Sequence, residues 1–209
     1  NEHFELGFNA VEEIIRDFDP SLTDGMVEDA KADTSYTIVI TPPDIDRYLL
    51  HCPGANDTFS ASDINYALLE TVSLFHFGYP PLMKQMYAGD GRELARVFRL
   101  AKQTGVTNSL DTAFAGPESP AGQADWRVIL TATLPFVDLF MPSIEEILFM
   151  LRRDQYKDLQ SRTANGDIIP LLTPELLSSL GTELLAMGAP VAGLKLGSRG
   201  LYIRTGSRE

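Results

Sequence analysis

Apolar positions near the start of the chain recur at helical spacing. Between residues 10 and 18, Val11, Ile14, Ile15 and Phe18 fall on one face among charged neighbours, which predicts an amphipathic helix. Pro20 follows it, and the acidic stretch from Asp19 to Asp33 reads as loop. The period then becomes that of a strand. Thr34 to Thr41 is rich in β-branched residues, Pro42, Pro43 and Asp44 read as a turn, and Arg47 to His51 read as a returning strand. Two strands are too few to be stable alone, so this hairpin is expected to rest on another part of the molecule or on a second copy.

From Thr71 the pattern becomes strand, helix, strand, repeated. Val72 to Phe77, Val106 to Leu110, Val137 to Met141 and Val191 to Leu196 predict strands, the first of them buried, and Leu201 to Arg204 predicts a short closing one. Helices are predicted over residues 91–103, with Leu94, Val97, Phe98 and Ala101 inward, and over 123–133, 143–152 and 174–187. Trp126 and the phenylalanines fall at core-facing spacings. Strands alternating with helices imply an α/β fold with a mostly parallel sheet covered on both faces. Ligands of such sheets sit beyond the carboxyl ends of the strands. That rule directs attention to Gly78 and Tyr79, to Asp111, to Pro142 and Ser143, and to residues 195–200.

Composition narrows the classes of partner. The 209 residues suffice for one full α/β domain, and 17 basic against 29 acidic residues give a net charge of −12. Such a surface repels phosphate backbones and anionic lipids, and the basic residues are scattered, so neither nucleic acid nor membrane is expected as a partner. A small anion such as a nucleotide remains open, since backbone amides and one metal ion can outweigh distant charges. Cys52 is the single cysteine, which fits a reducing compartment. The longest apolar run, near residues 128–141, is interrupted by Pro135 and Asp138, and Asn1 to Phe4 carry no basic leader. Cytoplasmic placement is the expectation. His51 and His76 lie in strand patterns and read as packed or edge residues, with no cluster at metal-ligand spacing. A Gly-x-Ser-x-Gly elbow and a strand–glycine–helix dinucleotide fingerprint are both missing from the sequence.

Three segments, in order, carry a resemblance. The first is the hairpin followed by Pro53-Gly54-Ala55-Asn56-Asp57-Thr58-Phe59; the second runs from Leu134-Pro135 through Asp138 to Glu146; the third is Lys195-Leu196-Gly197-Ser198-Arg199-Gly200. Together they resemble the ribokinase-like (PfkB) carbohydrate kinase family: its lid and Gly-Ala-Asn loop, its Asn-x-x-Glu motif, and its nucleotide-binding turn. The resemblance implies a three-layer α/β sandwich with a small β lid at about residues 34–52, over a single domain spanning residues 1–209 and incomplete at both ends. It implies magnesium-dependent transfer of the ATP γ-phosphate to a hydroxyl of a sugar or nucleoside. The family's Gly-Gly-x-x-x-Asn segment would precede residue 1. Its Gly-Ala-Gly-Asp anion hole, with the catalytic base, would follow Glu209, so no catalytic residue is assigned within the chain. A truncated or non-catalytic ligand-binding protein on this fold is the competing expectation.

The resemblance implies a role for each candidate, and each has an ordinary alternative. Lys195, Gly197 and Gly200 would contact nucleotide, where the family often has threonine at the Lys195 position; the same residues make a plain hairpin turn. Ser143 would contact nucleotide and Glu146 would help hold magnesium, with serine in place of the family's asparagine; Ser-x-x-Glu opening a helix is also a capping box. Asn56, Asp57, Tyr79 and Asp111 would face the acceptor; Asn56 and Asp57 also suit a turn, and Asp111 a cap or solvated loop. Tyr79 stands where kinases acting on ribose carry a glutamate, which argues against assuming ribose. Ala88-Gly89-Asp90 imitates the tail of the anion-hole motif but reads as a loop before a helix. The lid is expected to close over substrate or to pair with a second subunit.

Overall fold

In the computed structural model the described residues are 2–43, 48–163 and 166–206. The chain opens with helix α1 (Glu2–Phe18) and the antiparallel hairpin β1 (Tyr36–Ile40) and β2 (Tyr48–Cys52). A short helix α2 (Tyr66–Leu69) leads into β3 (Leu74–Phe77), α3 (Lys84–Tyr87) and α4 (Arg92–Gln103). Then come β4 (Thr107–Leu110), α5 (Pro120–Gln123), α6 (Trp126–Thr133) and the two-residue β5 (Leu139–Phe140). Helices α7 (Ile144–Leu151), α8 (Arg153–Ser161) and α9 (Pro174–Ala186) precede β6 (Val191–Lys195) and β7 (Leu201–Thr205).

The main sheet runs β3-β4-β5-β6-β7, parallel except for the antiparallel edge strand β7. A strand order that advances one place at a time, joined by right-handed crossovers, sends every connecting helix to the same face. The register agrees. Phe77, Leu110, Phe140, Ala192 and Arg204 form one row across the sheet. At one end of this face Phe98 of α4 packs its ring 6.0 Å from that of Phe77. At the other end Arg204 donates to Ser178 of α9. The four inward residues expected for α4 are all buried, as is Trp126.

Among the described residues cover is complete on this face only. The opposite row, His76, Ser109, Leu139, Val191 and Thr205, belongs to a face where Leu74 is 51% exposed and Ile203 57%. The strand expected from Val72 is therefore shorter than its pattern and not buried at its start: Val72 and Leu74 are exposed.

Elsewhere the chain departs from its periodicity for local reasons. The helix expected over 123–133 is two helices, because Asp125 caps α6 by accepting from the Val128 amide at 3.1 Å. Helix α8 follows α7 directly, and only Tyr156 and Leu159 of its nine residues are buried, too sparse an apolar signal for a helical pattern. Among the described side chains, two phenylalanines expected in the core are exposed, Phe18 and Phe114, the latter with its ring 4.9 Å from that of buried Phe149. Among the described side chains of α1, Val11, Ile14 and Phe18 are likewise exposed and Ile15 is half-buried.

The hairpin stands out from the rest. All five residues of β1 are exposed, and the expected turn residue Asp44 and strand residue Arg47 lie outside the described residues. Its base is tied down where the Ala55 amide donates to the Asp33 carbonyl at 2.8 Å and the Thr58 hydroxyl to Asp29 at 2.6 Å. No described helix is long and apolar enough to cross a membrane.

Candidate functional site

The carboxyl ends of β3, β4, β5 and β6 share one rim, and hydrogen bonds tie their loops together. Gly78 and Tyr79 leave β3. Tyr79 occupies the left-handed region at φ 62°, a conformation costing about 1–3 kcal/mol for such a residue. Its amide donates to the Asp111 carbonyl at 3.3 Å. Asp111 itself extends β4 by one residue, its amide bonded to the Phe77 carbonyl.

From β6 the Lys195 ammonium reaches back to Asp111, lying 2.6 Å from Oδ1 and 2.7 Å from Oδ2. In the strand order β4 and β6 are separated by β5, so this ion pair crosses over the end of β5. The Asp111 side chain is 16% exposed and that of Lys195 is 41% exposed. Oδ1 of Asp111 also accepts from the Thr112 amide at 2.8 Å.

Beneath this pair, β5 turns through Pro142 into α7. Ser143 and Glu146 form the full capping box: the Glu146 amide donates to Ser143 Oγ, and the Ser143 amide to Glu146 Oε2. The same Oε2 takes the hydroxyl of buried Thr112 at 2.7 Å. A bridge between Ser143 and Lys195, with the Lys195 amide on the Pro142 carbonyl, joins the α7 start to the end of β6. The capping reading and proximity to the turn at Gly197 are thus both realised. Thr112 went unremarked in the sequence, where its position directly after a strand end and its candidate aspartate was the available signal.

Beyond Lys195, residues Gly197–Arg199 make a single 3-10 turn and Gly200 reverses the chain into β7. Gly197 at φ 56° and Gly200 at φ 88° hold conformations that side chains resist, yet a Cβ on either would meet nothing within 4 Å. The glycines serve backbone shape, and the space around the turn is open. Its internal bonds use the amides of Arg199 and Gly200, which leaves those of Gly197 and Ser198 outside the turn's own pairing.

Asn56 and Asp57 are at the base of the hairpin, in a 3-10 turn over Gly54–Asp57. Asp57 accepts from the Lys84 amide at 3.0 Å and so caps α3. No hydrogen bond among the described residues links this pair to the Asp111 and Lys195 cluster. Gly89 and Asp90 both take left-handed conformations just before α4, in line with the loop expected there. His76, exposed on edge strand β3, shares a 3.1 Å hydrogen bond with Ser109 on the neighbouring strand, and half-buried His51 shares one of 2.8 Å with Thr37.

A cavity of about 690 Å³ lies at the other end of the sheet, lined by Asp138, Leu139, Leu185, Pro190 and Val191 among others. It is mainly apolar, and Asp138 is already engaged by Lys102 and by the Asn108 amide. Strand polarity favours the opposite rim for ligand chemistry. No three of the described His, Cys, Asp or Glu side chains converge to hold a metal.

No family model matches the chain, and no curated protein does. Solved structures do. A protein described as Sa239 superposes with a TM-score of 0.64 at 17% identity, over 93% of this chain and 54% of its own. A fructokinase with bound ATP from Xylella fastidiosa gives 0.60 at 18% identity, over 87% and 49%. A PfkB protein from Polaromonas sp. JS666 gives 0.56 at 20% identity, over 85% and 52%. The chain has the ribokinase-like fold. It spans about half the length of these solved structures. The sheet brings the second and third segments, at Ser143 and Lys195, to a common rim.

Proposed function

We propose that the protein is an ATP-dependent phosphotransferase acting on a hydroxyl of a sugar or nucleoside. The observation that carries this reading is the meeting of the Ser143–Glu146 box and the Lys195–Gly200 turn at one strand-end rim. Phosphoryl transfer to an alcohol needs phosphates held and neutralised beside a positioned acceptor. The open turn at Gly197 and Gly200, with Lys195 and Ser143 nearby, would take the phosphates. Asn56, Asp57, Tyr79 and Asp111 would face the acceptor. With Asp111 taken by Lys195 and no metal-holding cluster among the described residues, magnesium would arrive on the triphosphate and meet Glu146 through water, which suits that ion's reluctance to shed its hydration shell. Bound there, it would neutralise charge on the β- and γ-phosphates. The solved structure of a fructokinase with ATP, and that of an Arabidopsis thaliana ribokinase complexed with ribose and ATP, support the choice of cofactor and acceptor class.

The β1–β2 hairpin would act as the lid, its exposed strands closing over acceptor or pairing with a second copy. Sedimentation that stays monomeric at every concentration would remove the pairing. A non-catalytic ligand-binding protein is the second reading. It is favoured by the engagement of each candidate acid: Asp57 by an amide, Asp111 by Lys195, Glu146 by Ser143 and Thr112.

Calorimetry with ATP and magnesium, run beside an ADP-release assay over a panel of sugars and nucleosides, separates the readings. The kinase reading expects ATP to bind and one acceptor class to release ADP. ATP binding without release across the panel would favour the non-catalytic reading. Preference for NAD over ATP in a thermal-shift comparison would sink the kinase reading.

A further inference from the structure

The Lys195–Asp111 pair has a geometry that a static brace does not require. Its two partners differ in exposure. Asp111 is mostly buried, and its carboxylate is fixed from a second side by the Thr112 amide. Lys195 is 41% exposed on a flexible four-carbon stem. An ammonium has three donors, and Asp111 takes two of them. The pair also crosses over the end of β5, with the open turn at Gly197 only two residues further along the chain.

Asp111 presents to Lys195 what a phosphate would present, two anionic oxygens at hydrogen-bond distance. We propose that Asp111 is an internal stand-in for a ligand phosphate: it holds Lys195 over the end of β5 in the free protein, and Lys195 changes partner when a polyphosphate binds. This rests on the nucleotide reading above and assigns Asp111 a competing role in place of an acceptor-facing one. Half-exposed ion pairs are weak because water screens them, so a ligand carrying several charges can displace one. After the exchange the Asp111 carboxylate keeps its hydrogen bond from the Thr112 amide.

Titration calorimetry with ATP and with inorganic tripolyphosphate, on the wild type and on Asp111→Asn and Lys195→Met, tests this. The two variants should move in opposite directions. Asp111→Asn, whose amide oxygen can still accept from Thr112, removes the competitor and should tighten both ligands by about fivefold or more. Lys195→Met should weaken both by about tenfold, because it deletes the donor and exposes Asp111 to the incoming phosphates. A brace that only stabilises the fold would instead lower the melting temperature of both variants and leave their affinities equal to each other. Wild-type binding with both variants weakened or unchanged overturns the partner exchange and leaves the nucleotide reading standing. Failure of the wild type to bind either ligand overturns that reading, and the exchange with it.

Discussion

The two faces of the main sheet are built from alternate residues of the same strands and have different fates. On the helix-covered face Phe77, Leu110, Phe140 and Leu194 are buried against α4, α6 and α9. On the other, Leu74, Leu201 and Ile203 are exposed, and Leu139 and Val191 are half-buried. Asp111 and Lys195, one residue beyond buried Leu110 and Leu194, point to the second side. Stability and chemistry are thereby separated by residue parity: one set of positions fills the core, and the intervening set carries the polar groups of the rim. A strand apolar on both sides has a use for each, and the open face is apolar enough to call for cover.

The comparison is broken most easily at the covered face. Phe140→Ala removes a fully buried ring from the two-residue strand at the centre of the sheet, where neighbours cannot collapse without distorting β4 and β6. The expected loss is about 3–5 kcal/mol, measured by urea unfolding. A cost under about 1 kcal/mol would mean that the core is not centred where the register puts it.

A smaller effect is expected where the helix layer is tied together. Glu183 of α9 meets Arg127 of α6 and Arg152 at the end of α7, each at 2.7 Å. Burial raises the Glu183 carboxyl, but hydrogen bonds and charges from Arg152 and Arg127 outweigh it and hold the group below its ordinary value. A carboxyl depressed in the folded state contributes stability above its unfolded pKa and loses it as pH falls through the folded one. Glu183→Gln should therefore cost about 1–2 kcal/mol near neutrality and progressively less below about pH 4.5. Parallel stability curves for the two proteins across pH 3–7 would refute this assignment.

Much of this frame was legible in the chain. The alternation from Thr71 onward named the strands and the order of elements, and the spacing of Leu94, Val97, Phe98 and Ala101 gave the inner side of α4, because burial imposes a period on sequence. Other features impose none. Helix α8 buries too little to show a pattern, and the break before α6 comes from a single aspartate cap. The site was legible as positions after strands, which follow from topology alone. Its wiring was not. That Lys195 reaches Asp111, 84 residues away, and that Thr112 reaches Glu146, depends on which strands become neighbours, and no local signal states that. The uncovered second face was equally hidden, since an apolar alternate residue reads the same whether or not something rests on it.

That last ambiguity is open to the smallest and most discriminating change. Ile203→Thr keeps a β-branched side chain on the edge strand and removes apolar surface from a position 57% exposed. If the face is open in solution, stability should move by no more than about 0.5 kcal/mol. Leu201→Thr on the same face should behave alike, and the pair should be additive, because neither has a partner layer to lose. A drop of about 2 kcal/mol or more in either variant would mean that the face is covered, since only burial gives such a side chain that value. Sedimentation then identifies the cover: a wild-type dimer that becomes monomeric in Ile203→Thr places a second copy there, whereas an unchanged monomer assigns it to the same chain.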